Sequence, residues 1–145
     1  MSSALMKLLE QGGQSGLFRI SEDADETQIL ATAAANGWLA CHLRGGEIAD
    51  KHAFLTQMTA ACGFPGYFGH NWDAFEEMLV DPSWRSAPGL LLLYDDPVTL
   101  ARRDPAAWRM IYAILRQVTA TPAPDAPLIV VFRNARRLVP DAGWI

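Results

Sequence analysis

Between His52 and Trp84 the chain has no lysine and no arginine, and its only carboxylates there are Asp73, Glu76, Glu77 and Asp81. A field of that sign repels phosphate backbones and attracts basic proteins, which excludes nucleic acid as a partner of this segment. The bland alternative is a solvated acidic face. No apolar run approaches the roughly 20 residues of a membrane span, and the opening MSSALMKLLEQGG lacks the long apolar segment of a secretory signal, so a cytoplasmic protein with no membrane partner is expected. Cysteine is scarce. Cys41 and Cys62 each lie inside an apolar stretch and read as buried free thiols in preference to a disulfide or a metal pair. A phosphate-cradling glycine loop is also missing, since Gly45 and Gly46 follow a strand without a G-x-G-x-x-G pattern.

What is present is an ordinary globular composition. The 145 residues are 50% apolar and 19% charged, enough for one domain with a packed core and too apolar for a disordered chain. The net charge of −4 hides an asymmetry: residues 1–81 hold eleven acids against four bases, and residues 82–145 hold five acids against eight arginines.

Periodicity supplies the elements. Residues 26–36 read as a helix closed by Gly37, and 38–43 as a short buried strand. Asp50 caps a helix whose Phe54, Leu55, Met58, Ala61 and Cys62 share one face until Gly63 and Pro65 stop it. Residues 89–94 (GLLLLY) and 127–132 (PLIVVF) are too short and too uniformly apolar for surface helices and read as strands buried on both sides. Between them Asp104 and Pro105 open a helix with Trp108, Ile111, Leu115 and Val118 on one stripe. The alternation predicts an α/β fold with these three strands parallel and flanked by helices in two or three layers, and Leu17 to Ile20 as an optional fourth, edge strand. No internal repeat is present; 12–16 and 121–127 read as connections.

The segment 66–81, GYFGHNWDAFEEMLVD, is the most pointed feature. Asn71 is a good N-cap, and 72–80 contains no helix breaker. At about 100° per residue Trp72, Ala74, Phe75, Met78 and Leu79 cover one side, leaving Asp73 and Glu77 together on the other with Glu76 on a flank. Asp73 suits the positive end of the helix dipole. Glu77 does not, and the two form a like-charge i, i+4 pair with nothing local to offset it. Tyr67 and Phe68 sit on a loop with Pro65, Gly66 and Gly69, so at least one ring is expected to be exposed. A metal held by His70, Asp73, Glu76 and Glu77 finds no recognised ligand spacing. Two acids on one exposed face share one environment and make a poor acid–base couple. His42 on an apolar strand and His52 early in a helix read as packed or solvated. We therefore expect no catalytic residue, no metal and no cofactor, with the missing cations supplied by another molecule.

Residues 67–79, YFGHNWDAFEEML, preceded by an apolar helix and followed by Trp84 and GLLLLY, resemble the barstar family of ribonuclease inhibitors. The shared pattern is two aromatics, Gly69, Asn71, an apolar residue, Asp73, Ala74, an apolar residue, and an acid four positions after Asp73. The resemblance implies a three-stranded parallel sheet with flanking helices, in a compact core of about 38–132 within a single domain, 1–145; residues 1–37 and 133–145 would be additions. It implies that the helix and its preceding loop plug the active site of a small basic ribonuclease or toxin, the protein acting as a monomer. Tyr67 would pack on the nuclease, Gly69 would hold the tight loop position and Asn71 would open the binding helix. Asp73 and Glu77 would meet phosphate-binding arginines, and Trp84 would sit at the rim. Two departures bear on the target: Glu77 stands where Asp is frequent, and Glu76 replaces an aromatic. A non-inhibitory module for another basic protein, and a carboxylate or metal hydrolase, remain as alternatives.

Overall fold

Hydrophobic pattern and capping place the elements in the computed structural model, which describes residues 2–145. In chain order they are α1 (Ser3–Gln11), β1 (Gly16–Ile20), α2 (Glu26–Ala35), β2 (Trp38–Arg44), α3 (Lys51–Cys62), α4 (Trp72–Val80), β3 (Gly89–Asp95), α5 (Val98–Arg103), α6 (Pro105–Ala120), β4 (Leu128–Arg133) and β5 (Gly143–Trp144). The caps follow the sequence rules. Asp50 accepts from the Ala53 amide, Asn71 from Ala74 and Asp104 from Ala107, while Gly63 closes α3 in the left-handed conformation at φ 71°.

The strands form one five-stranded sheet in the order β2-β3-β4-β1-β5, every pairing parallel. The three strands read from the sequence are adjacent and in register, Trp38 opposite Gly89 and Leu90 opposite Leu128. β3 is buried along its whole length, which explains why its sequence does not alternate. The expected fourth strand exists but is not an edge. β1 lies between β4 and β5, because Phe18 and Arg19 pair with Gly143 and Trp144. β5 is two exposed residues long and carries no periodic signal, so nothing in the sequence announced it.

The direction of the crossovers sets the layers. From β2 through β3 to β4 the chain steps one way across the sheet, and from β1 to β2 it steps the other. Right-handed connections must then place α2 on the face opposite α3–α6. Accordingly Leu5, Leu9, Ile29 and Ala33 of α1 and α2 pack on Leu91, Leu93, Ile129 and Val131. The other face carries the larger core, with Phe54, Phe75, Trp108 and Ile111 against Leu90, Leu92, Tyr94 and Phe132. The result is three layers.

Cys41 on β2 and Cys62 on α3 are not free thiols. Their sulfurs are bonded, with the Cα atoms 5.2 Å apart. The same apolar packing that argued for two buried thiols brings this strand and helix face to face, close enough for a disulfide.

Candidate acidic docking face

Asn71 fixes the start of α4. Its Oδ1 accepts from the Ala74 amide at 2.8 Å, and its Nδ2 donates to the Gly69 carbonyl at 3.4 Å, tying the preceding loop to the helix. A side chain at Gly69 would place its Cβ 3.2 Å from Asn71 Nδ2, so the close turn favours glycine. His70, between them, sits in the left-handed region at φ 50°. The loop sends its two aromatics in opposite directions. Phe68 is buried against Phe64, whereas Tyr67 is 69% exposed.

Phe75, Met78 and Leu79 anchor α4 on the core, while Asp73 and Glu77 are exposed and Glu76 half-buried. Among the described residues no basic side chain forms an ion pair with any of the three. Lys51 is nearby, but its ammonium lies over the Trp72 ring, 5.0 Å from the centroid. The far end of the helix is neutralised by Arg85. Its Nη1 donates to the carbonyls of Met78 and Asp81, its Nη2 to Pro88 and its Nε to Ala87. A cation there complements the negative end of the helix dipole. Burial pushes the Arg85 pKa down, and the Asp81 charge partly restores it. Trp84 is half-buried, with Nε1 donating to the Met78 carbonyl at 2.9 Å and its ring edge-on to Phe64.

Sequence reading did not find the groove beside α4. Trp72, Met110 and Ile114 line a cleft of about 500 Å³ between α4 and α6, together with Lys51, Asp73 and Glu76. A second cleft, about 310 Å³, continues past Glu76 and Glu77 to Val80 and Gln117. Met110 and Val80 are 44% and 46% exposed. The available signal was phase: Met110 is an apolar residue off the Trp108, Ile111, Leu115 stripe.

A family model described as Barstar (barnase inhibitor) matches residues 38–133, the span that contains this loop, α4 and its flanking strands. The chain belongs to the barstar family. The barstar match leaves out α1, β1, α2 and β5, all outside the matched residues. A search of curated proteins gives no match. Among solved structures, the Aeropyrum pernix ORC2 protein in ADPNP–ADP complexes superposes with a TM-score of 0.70 over 97% of this chain at 15% identity. The chain spans 45% of that protein, and the likeness is one of fold.

A second polar cluster lies on the opposite face, and the sequence reading assigned it nothing. At the carboxyl ends of adjacent strands, Arg133 donates from Nε and Nη2 to the two oxygens of Asp95, each at 2.7 Å. His42 Nε2 stands 2.6 Å from Asp95 Oδ2 and 3.3 Å from Glu26 Oε2, and Arg133 Nη2 is 3.4 Å from Glu26. Glu26, His42 and Asp95 are spaced as metal ligands would be. The guanidinium of Arg133 already meets both carboxylates, so the cation's place is filled from within the chain. Burial pushes the Asp95 carboxyl up, but hydrogen bonds from Arg133 and His42 outweigh it and hold the pKa below the ordinary carboxylate value. The Arg133 pKa is raised, chiefly by its bond to Asp95. The signal was available for two of the four: Asp95 and Arg133 each directly end an apolar strand, and they are opposite each other in register.

Proposed function

We propose that this protein blocks the active site of a small basic ribonuclease, or a toxin of like charge, with α4 and the loop before it. The observation that carries the reading is an exposed pair of acids, Asp73 and Glu77, with no cation paired to them among the described residues, beside an exposed Tyr67 on a family-matched segment. Carboxylates so placed imitate RNA phosphate, and a preorganised helix presents them without an ordering penalty. Gly69 and Asn71 hold the loop, Asp73 and Glu77 meet the partner's basic residues, Glu76 extends the acidic edge, and Trp84 borders the contact. The matched family is described as a barnase inhibitor, which supports the reading. The chain then acts without catalysis, metal or cofactor, as a monomer, in the antitoxin role. A cytoplasmic location accompanies this reading; the Cys41–Cys62 bond pulls the other way, since disulfides persist in oxidising compartments. Among the described residues no helix is long and apolar enough to cross a membrane.

The test is a titration of the host's small ribonucleases with wild-type protein and the Asp73→Ala and Glu77→Ala variants. Wild type should abolish the activity of the cognate enzyme at one-to-one stoichiometry. Each truncation should weaken binding by about 2–5 kcal/mol, mostly through faster dissociation, a range set in part by the barnase–barstar pair itself. Unchanged affinity on losing both acids would remove the mechanism. Tight binding to a partner that stays fully active would favour the non-inhibitory module, a reading to which Glu76 in an aromatic's place lends weight.

A further inference from the structure

The carboxyl ends of β1 and β4 frame a cleft of about 350 Å³ that the inhibitor reading does not use. In open parallel sheets ligands lodge outside the carboxyl ends of strands, where neighbouring crossovers diverge to opposite faces. Here the chain leaves β1 toward α2 on one face, while β3 feeds β4 through α5 and α6 on the other. The cleft lies beside that divergence. α6 packs on β1 and β4 and also against α4, and so separates the cleft from the acidic face.

Its lining is basic, and of its side-chain donors the Asn134 Nδ2 is taken up by Asp96 Oδ1 at 2.6 Å. Arg19 and Arg136 line it with Ser21, Asn134 and Trp144, against a single acid, Glu22, which is exposed. The Arg19 guanidinium is held 4.6 Å over the Trp144 ring and donates through Nη2 to the Arg136 carbonyl, yet its Nε is buried with no partner among the described residues. The backbone adds to this. Asn134 and Arg136 both take positive φ, 59° and 53°, with Ala135 between them at negative φ. Where the hand of successive residues alternates, their amides turn toward one concave side, the geometry of an anion nest. Among the described residues the amides of Ala135, Arg136 and Arg137 find no backbone acceptor. An arginine in the left-handed region is strained, and such strain collects at ligand sites. Every lining residue except Phe132 lies outside the segment matched by the barstar family.

We propose that this cleft binds a tetrahedral phosphate-type oxyanion, held by the Arg19 and Arg136 guanidinium groups and by the amides of residues 135–137. The anion is either free or the head of an organic phosphomonoester whose body lies along Trp144, 69% exposed at the rim.

Amide and indole NMR shifts of the labelled full chain, titrated with inorganic phosphate and with phenyl phosphate at matched ionic strength, test this. Saturable shifts at 19–22, 134–137 and the Trp144 indole, with α4 silent, are expected. Tighter binding of phenyl phosphate identifies an organic ester, and equal affinity a free ion. Arg136 is exposed, so Arg136→Ala should fold as wild type and weaken binding about tenfold or more. Arg19→Gln, checked for an unchanged melting curve, should do the same. An absence of saturable shifts below about 10 mM, or equal affinity in Arg136→Ala, would overturn the proposal.

Discussion

Replacing Asp95 by Asn tests the charged cluster at the end of β3 with almost no change of volume. The wild-type carboxylate accepts two hydrogen bonds from Arg133 and one from His42, at 2.6–2.7 Å. An amide accepts on one atom only and turns its own donors toward Arg133 or His42. The side chains of Asp95 and Arg133 are 12% and 15% exposed, so the arginine keeps its charge in a largely dry site where, among the described residues, only Glu26, 42% exposed, answers it. Stranding one partner of a buried pair typically costs 3–5 kcal/mol; the cluster lies at the rim of the sheet, and we expect the lower end, about 3 kcal/mol. For a chain of this size that is a fall in Tm of about 6–12 °C. The pH dependence has a defined sign. Because the folded pKa of Asp95 is depressed, its contribution is complete above the unfolded value near 4 and disappears as pH falls through the folded one. Urea unfolding followed by circular dichroism at pH 7 and in acid should show a gap between wild type and variant that closes at low pH. A gap under about 1 kcal/mol at pH 7, or one that persists undiminished in acid, would refute the assignment of stability to this pair.

Tyr94 makes the opposite point. Its hydroxyl is fully buried without a partner among the described residues, and burial pushes its pKa well up, so Tyr94→Phe should be neutral or stabilising by up to about 1 kcal/mol in the same unfolding assay. Gly45→Ala should fail to accumulate as folded protein, because a Cβ there would lie 1.9 Å from the Asp95 carbonyl; a normal melting curve would contradict the geometry. Reducing the Cys41–Cys62 bond, which spans 21 residues, should lower stability by about 3 kcal/mol, measured as a urea midpoint shift with and without reductant. The Asp73→Ala variant should unfold within about 0.5 kcal/mol of wild type, since it loses an exposed like-charge neighbour and no ion pair.

Legibility in the sequence followed the strength of local signals. α4 begins and ends where its cap and apolar face predict, because Asn71 and the Phe75, Met78, Leu79 side act within one turn of chain. β3 and β4 were legible because central strands cannot tolerate polar residues on either face. What escaped notice is held by long-range contact. β5 owes its existence to Arg19 and Phe18, more than 120 residues earlier. The α4–α6 groove depends on how two helices lie together, and the Glu26, His42, Asp95, Arg133 cluster on register between strands. Tyr67 outside and Phe68 inside could be foreseen as a pair, but not sorted, because a loop has no period.

The place of β1 in the sheet bears on the order of folding. Its neighbours are β4 and β5, so Gly16 must find Ile129, and Phe18 must find Gly143, across nearly the whole chain. During synthesis β1 leaves the ribosome with neither of its partners made. The segment 38–133, in contrast, contains three strands that adjoin one another in chain order. Contacts of such wide sequence separation slow folding, because loop closure comes before any reward. The ladder β2-β3-β4 can therefore assemble while β1 waits. Until β1 docks, the outer side of β4 is an open parallel edge of Ile129, Val130 and Val131, ready to accept a strand from another chain. Swapping of the first 20 or so residues between copies is the misfolding route this topology leaves open.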